Sequence, residues 1–308
     1  MDAPSDKRPP QVFQGFWHGR PLNPILLACL TSFIKRGHEF HLYTYDELQV
    51  PTGVKLKSAE AVLPRESMFS FVNPDTQEMD FGPFSDLFRF KLLMLKGGWW
   101  SDVDCICLSS NVPAFERAWA RECPECAPTA IGTSQMALRK DDPVARELFG
   151  RCSAKITKGF NRREDLGPRL MSAVINDLGL PRDMGGTSRQ FYPLRWIEMF
   201  KLWLPQFYDE VADKGRRAYF MPIYQSFSRY SGLSMGILPP QGSFLDSILT
   251  KFFGNFDEKG RHTEEGILAN TRMFFQKRHA WAIDELVAVS GPDVLGQIGL
   301  PGNISQTR

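Results

Sequence analysis

The sequence predicts an α/β fold with parallel strands, and three stretches predict it. "QVFQGFW" (Gln11–Trp17) is rich in β-formers, and "HGRPLNP" after it is a loop by its Gly and Pro content. "PILLACLTSFIKRG" then repeats apolar residues at helical spacing and stops at Gly37, and "EFHLYTY" (Glu39–Tyr45) alternates as a strand does. Strand, loop, helix and strand in that order open a parallel sheet. Further on, Pro83–Lys96 reads as a helix that is apolar nearly all round, hence buried. Gly97-Gly98 ends it, since glycine reaches the left-handed conformation cheaply, and a strand is expected from Trp99 to about Leu108.

The remaining elements follow the same logic. Residues 50–82 are mixed, with "AEAVLPRESMFSF" as a short helix and "VNPDTQEMDFG" as a loop. "DDPVARELFGRCSAKI" and "GPRLMSAVINDLG" predict helices with Pro in the first turn. "RAYFMPIY" predicts a strand, and "MFFQKRHAWA" fits helix and strand equally. Residues 1–10 read as a flexible lead and 291–308, punctuated by Gly and Pro, as a tail. Between them, 11–290 reads as one domain, with no repeat, low-complexity block or linker.

Composition narrows the function. Apolar residues make up 43% of the 308 and charged residues 23%, as in folded globular proteins. Thirty-seven basic residues against 35 acidic ones leave +2, far from the basic excess of a nucleic-acid binder. No apolar run reaches the roughly 18–20 residues of a membrane span, and the charged, Pro-containing start is unlike a secretory signal, so a cytoplasmic protein is expected. Six cysteines are too few for a disulfide framework. "CPEC" (Cys123, Cys126) lacks the second half-site of structural zinc and reads as a pair of surface-loop cysteines.

Within the apolar stretch "FSDLFRFKLLMLKGGWWSDVDCICL" stand Asp86, Arg89, Asp102 and Asp104. Burying charge is costly unless it is paired or bound. Asp86 and Arg89 are three apart and share a helix face, so a plain ion pair accounts for them as well as a site does. Asp102 and Asp104 lie two apart on a strand, or at its end, and project from the same side. Carboxylates that close repel, and a divalent cation preferring oxygen, Mg²⁺ or Mn²⁺, relieves the repulsion. A lone Asp-x-Asp is most often a solvated turn, but Trp99, Trp100, Val103 and "CICL" make a poor setting for one.

The order Ser85, Asp86, Arg89, Leu-rich helix, Gly97, Gly98, Trp100, Asp102, Asp104 resembles the Asp-x-Asp segment of glycosyltransferase family 32. That family includes initiating mannosyltransferases, α-1,4-galactosyltransferases and capsular-polysaccharide enzymes, and the clostridial glucosylating toxins share a related pattern. It usually has Tyr where Trp100 stands. "FQGFWHGRPLNP" is similar to the family's opening strand, and "DLGPRLMSAVI" to its Thr-Gly-Pro helix start, with Leu166 in place of Thr. The resemblance covers roughly residues 11–175 and fades beyond.

What the resemblance implies is a GT-A type nucleotide-sugar-binding fold, a single Rossmann-like domain with a mixed sheet. Its donor half would be about 11–175 and its acceptor half about 176–290. It implies a retaining hexosyltransferase, most simply UDP-sugar dependent with GDP-mannose as the alternative, acting on a glycan hydroxyl in bacterial polysaccharide synthesis. An effector acting on a protein, a metal phosphohydrolase and a nucleotide-sugar binder are the competing expectations. Asp104 with Asp102 would hold the metal, and Asp86 would accept from sugar hydroxyls. Arg89 would donate to sugar or diphosphate, and Trp17 would stack on the base, unless it is a core Trp ending a strand. His279 in "QKRHAWAID" is the candidate third metal ligand, with a surface or core role as the alternative. His18, beside Trp17, could approach the donor. The expected acid–metal–sugar set is thus Trp17, Asp86, Arg89, Asp102, Asp104 and His279.

Overall fold

The structure is a computed structural model that describes residues 9–72, 77, 79–124, 130–255, 260–277 and 280–301. Its elements in chain order begin with strand β1 (Val12–Phe16), helix α1 (Pro24–Lys35), β2 (Glu39–Thr44) and β3 (Val54–Ser58). A hairpin of β4 (Phe71–Val72) and β5 (Met79–Asp80) precedes α2 (Gly82–Lys96), β6 (Gly98–Ser101), β7 (Cys105–Cys107) and β8 (Gln135–Leu138). Then come α3 (Pro143–Lys158), α4 (Pro168–Asp177), α5 (Ser188–Phe191), α6 (Tyr208–Gly215), β9 (Phe220–Pro222) and α7 (Gln225–Ser231). Helices α8 (Phe244–Phe253), α9 (Glu264–Lys277), α10 (Ala280–Ser290) and α11 (Asp293–Gln297) complete the described chain.

The central sheet runs β3-β2-β1-β6-β8. Its first four strands are parallel and β8 is antiparallel to β6. This is an α/β fold with a mostly parallel mixed sheet, the class expected from the opening strand–helix–strand pattern. Side-chain alternation builds a core on each face. Trp99 joins Phe13, Phe33, Phe40 and Phe220 on one face, whereas its neighbour Trp100 joins Phe16, Tyr43, Phe88 and Met136 on the other.

Helix α2 starts with Pro83 in its first turn and buries Phe84, Leu87, Phe88, Phe90, Leu92 and Leu93. Gly97 and Gly98 both take positive φ (65° and 90°), so the chain reverses directly from α2 into β6. A Cβ at Gly97 would fall 2.3 Å from the Lys140 backbone nitrogen.

Several expectations need correction. The strand expected from Trp99 to Leu108 is two strands in two sheets: β6 lies in the central sheet and β7 pairs with β9. The break falls on Asp102–Asp104, where the chain turns. "AEAVLPRESMFSF" forms two separate 3₁₀ turns, Ala59–Ala61 and Arg65–Ser67, because Pro64 between them cannot continue a helix. The expected loop "VNPDTQEMDFG" contributes Val72 to β4 and Met79–Asp80 to β5. Of "MFFQKRHAWA", the described residues are helical: Met273–Lys277 close α9 and Ala280–Ala282 open α10. The expected tail from Gly291 instead holds α11, whose Val294 and Leu295, with Ile298 and Leu300 beyond, are buried in the main core. Apolar spacing at Val294, Leu295, Ile298 and Leu300 outweighs the Gly and Pro between. Most of the flexible lead, residues 1–8, lies outside the described residues.

Candidate active site

Ligand sites in open parallel sheets form at the carboxyl ends of the strands. Here those ends carry Trp17 and His18 after β1, Tyr45 and Asp46 after β2, and Asp102 after β6. The pairing Phe13↔Trp99 and Gln14↔Trp100 sets β1 and β6 side by side in parallel, so both release their loops at the same edge.

Asp86, Arg89 and Asp102, three of the four candidate residues in the apolar stretch, are joined directly. Arg89 is 3% exposed, and its Nη2 donates to Asp102 Oδ1 at 2.9 Å. Its Nη1 donates to the Thr133 carbonyl at 2.5 Å and lies 3.2 Å from Asp86 Oδ1. The guanidinium also sits over the Trp100 ring, 4.9 Å from the centroid. Trp100 Nε1 donates to the same Asp102 Oδ1 at 2.7 Å, which is what a ring N–H at this position does for the site. The ion pair expected from the i, i+3 spacing thus exists, but it is one edge of a larger network.

Asp104 stands apart from Arg89. Its Oδ2 accepts from the Gln225 backbone N–H at 2.7 Å, and its carbonyl accepts from Ile223 N–H at 2.8 Å. Tyr224, between those two, holds φ 51°, an uncommon conformation for a non-glycine residue. Its buried hydroxyl finds no partner among the described residues. The end of β9 therefore grips Asp104 from 121 residues away.

Burial pushes the Asp102 carboxyl up to about 7; Arg89 and Trp100 oppose the rise, and Asp104 and Asp86 add to it. Burial likewise raises Asp86, against the pull of Arg89 and Arg163. Gly167, at the head of α4, packs on Asp86: a Cβ there would fall 2.6 Å from Oδ2. The Gly-Pro helix start singled out in the sequence thus abuts the first acid of the motif. Leu166 before it is fully buried in the core.

Trp17 packs partly against the core and donates its indole N–H to the Arg20 carbonyl at 2.8 Å. His18 pairs with Asp46 at 2.7 Å and meets the Phe81 ring edge-on at 5.0 Å; Asp46 in turn pairs with Arg65. His279 lies outside the described residues. Among the described residues no group of three His, Cys, Asp or Glu could hold a metal ion. Asp102 Oδ2 and Asp104 Oδ1 accept no hydrogen bond among the described residues, since the contacts of these carboxylates all fall on the other oxygen. Two such hard oxygen donors suit Mg²⁺ or Mn²⁺, which complete their shells with water and phosphate.

Sequence reasoning missed the opposite wall. Glu122, Tyr192 and Tyr224 gather there with Arg195, which donates to the Tyr192 carbonyl at 2.5 Å and to Ser188 Oγ at 3.2 Å. Burial, then Asp102, push the Glu122 carboxyl up to about 7. These residues come from scattered segments with no shared spacing. "ARECPEC" drew attention for its cysteines, not for Glu122. The reading of Cys123 as a plain loop cysteine is also corrected: it is 8% exposed and disulfide-bonded.

Neither a family model nor a curated protein sequence matches the chain. Among solved structures, the PaToxG glycosyltransferase is similar over 55% of this chain and 68% of its own, at 12% identity and a TM-score of 0.41. Among the described residues, no helix is long and apolar enough to cross a membrane.

Proposed function

We propose that the protein is a metal-dependent retaining glycosyltransferase of GT-A type, moving a hexosyl unit from a nucleotide-sugar, a UDP-sugar in the first instance, to a hydroxyl of a glycan. The observation that carries the reading is the Asp86–Arg89–Asp102 network, joined by Trp100 and set at the carboxyl edge of a parallel sheet beside a second, separately held carboxylate, Asp104. A structural ion pair has no use for Asp104, which pairs with no cation among the described residues. Retention, and the UDP donor, are drawn from the family-32 resemblance of "SDLFRFKLLMLKGGWWSDVD".

Asp102 and Asp104 would hold the cation, which when bound supplies Lewis-acid stabilisation of the departing diphosphate. Arg89 fixes Asp102 through Oδ1 and leaves Oδ2 for binding. Trp100 shares that task, and a ring N–H does it as a tyrosine hydroxyl would. Asp86 accepts hydrogen bonds from sugar hydroxyls, and Arg89 neutralises it between turnovers. Trp17, held by Arg20, presents its ring to the base. The test is a panel of UDP- and GDP-sugars with Mn²⁺, scoring nucleotide release and sugar transfer together. Transfer from one donor, lost with chelator and in Asp102→Asn and Asp104→Asn, supports the reading. Nucleotide release without transfer to any acceptor points instead to a phosphohydrolase.

A further inference from the structure

The segment Gly132–Ser134 forms a floor between the two walls of the site. Thr133 accepts from Arg89 and the Ser134 carbonyl accepts from Asp102 N–H at 2.8 Å. On the other side, Ser134 Oγ donates to the Tyr192 hydroxyl at 3.4 Å. A Cβ at Gly132 would fall 2.3 Å from Tyr192 Oη and 2.8 Å from Glu122 Cγ, so both side chains rest directly on this glycine. Gly132 and Ser134 are two Cα steps apart, about 7 Å. One short segment thus bonds Arg89 and Asp102 and carries Glu122 and Tyr192 against its glycine.

Glu122 is half-buried, and its carboxyl makes no hydrogen bond or ion pair among the described residues. The neighbouring cations are already engaged. Arg89 serves Asp86 and Asp102, Arg163 pairs with Asp80 at 2.7 Å, and Arg195 is tied to Ser188 and Tyr192. A carboxyl left without a partner within reach of the Asp102 carboxylate welcomes hydroxyl donors and repels a further anion. We infer that Glu122 is a specificity-determining residue: it accepts a hydrogen bond from a hydroxyl of the transferred sugar and excludes sugars that carry a carboxylate. The inference rests on the glycosyltransferase reading above.

The test uses matched pairs that differ only in the oxidation of C6: UDP-glucose against UDP-glucuronate, and UDP-galactose against UDP-galacturonate. Calorimetric titration of the full chain with Mn²⁺ gives affinities for these four and for UDP alone, in the natural protein and in Glu122→Gln. The natural protein is expected to prefer the neutral member of at least one pair by more than tenfold. Glu122→Gln is expected to shrink that preference at least tenfold while binding UDP unchanged, and unchanged UDP binding also shows that the variant is folded. Glu122→Ala should shift the ratio in the same direction. An unaltered ratio with intact UDP binding overturns the inference and leaves the glycosyltransferase reading standing. No binding of UDP to the natural protein overturns the inference together with its UDP-donor premise.

Discussion

Replacing Arg89 with methionine removes a single buried cation that three groups share. The side chain keeps most of its length, so little cavity results, and the loss is electrostatic. What disappears is one charge-assisted hydrogen bond to Asp102, the contact with Asp86, the bond to the Thr133 carbonyl and the stacking on Trp100. Hydrogen bonds to charged groups are worth about 1.5–3 kcal/mol each, yet much of that is returned by the desolvation Arg89 no longer suffers. The cost that remains is that of two carboxylates stranded at a buried site, and breaking such a pair costs about 3–5 kcal/mol. Urea denaturation followed by circular dichroism should read a loss in that range at pH 8.

The same reasoning fixes the pH dependence. Asp86 is already raised by burial, with Arg89 opposing, so removing Arg89 raises it further. A carboxyl raised in the folded state keeps a proton that the unfolded chain releases, so stability falls as pH climbs from the ordinary value, about 3.9, through the folded one. Arg89→Met should therefore cost less at pH 5 than at pH 8. Adding Asp86→Asn removes one stranded charge and should recover at least about 1 kcal/mol at pH 8. A loss below about 1 kcal/mol, or one equal at both pH values, would refute the claim that Arg89 compensates buried acids.

Asp104→Asn should leave the melting temperature without metal nearly unchanged, abolish the rise that Mn²⁺ produces, and slow sugar transfer by at least about 100-fold; a surviving Mn²⁺ shift would exclude Asp104 as a ligand. In the metal-free protein, Asp102 and Glu122, both held near 7 by burial, keep protons that the unfolded chain gives up, so stability should decline from about pH 4 to pH 7 and level off above. Because metal binding requires the deprotonated carboxylate, Mn²⁺ should raise the melting temperature more at pH 8 than at pH 5.5, and calorimetry showing the reverse would contradict the site. Lys201, 1% exposed, bonds Glu198 at 3.0 Å, Glu210 at 2.7 Å and Ser290 Oγ at 2.9 Å, tying the end of α10 to the main core. Lys201→Met should leave Glu198 to Lys214, which bonds it at 2.8 Å, and lower the melting temperature by roughly 3 °C or more; a drop under about 1 °C would mean that Lys214 carries the pairing alone.

Elements written in contiguous patterns were legible. The run from Pro83 to Asp104 declares a buried helix, its stop, a strand and a pair of acids, because each depends on neighbours along the chain. What stayed hidden depends on residues far apart. β7 looks continuous with β6 until the partner of each is known, and the partner of β7 is β9, reached only after α3 to α6. β8 is four residues, Gln135 to Leu138, buried throughout, with no alternation to betray it. Gln225 grips Asp104 through a backbone N–H, an interaction to which side-chain identity contributes nothing. Glu122 carries no mark in "ARECPEC"; only the approach of Gly132 to both Glu122 and Tyr192 connects it to the motif.

The charge count around the site explains why so many acids can stand together. Asp86 and Asp102 share one cation, Arg89, and Asp104 and Glu122 bond no cation among the described residues. Arg89 answers one negative charge in full, and burial denies the others the solvent that would screen them. Two remedies remain open to the protein, and they use the same oxygens. Without a ligand, protons cancel about half of the charge of Asp102 and Glu122 at pH 7. With one, a divalent cation and the hydroxyls of a neutral sugar would take their place, and those protons would leave. A purely structural network would have been cheaper with asparagine at two of the four positions, since amides satisfy the same hydrogen bonds at lower desolvation cost. Keeping four ionisable acids makes sense where binding exchanges protons for metal and sugar, so that loading the site relieves the repulsion that folding alone leaves in place.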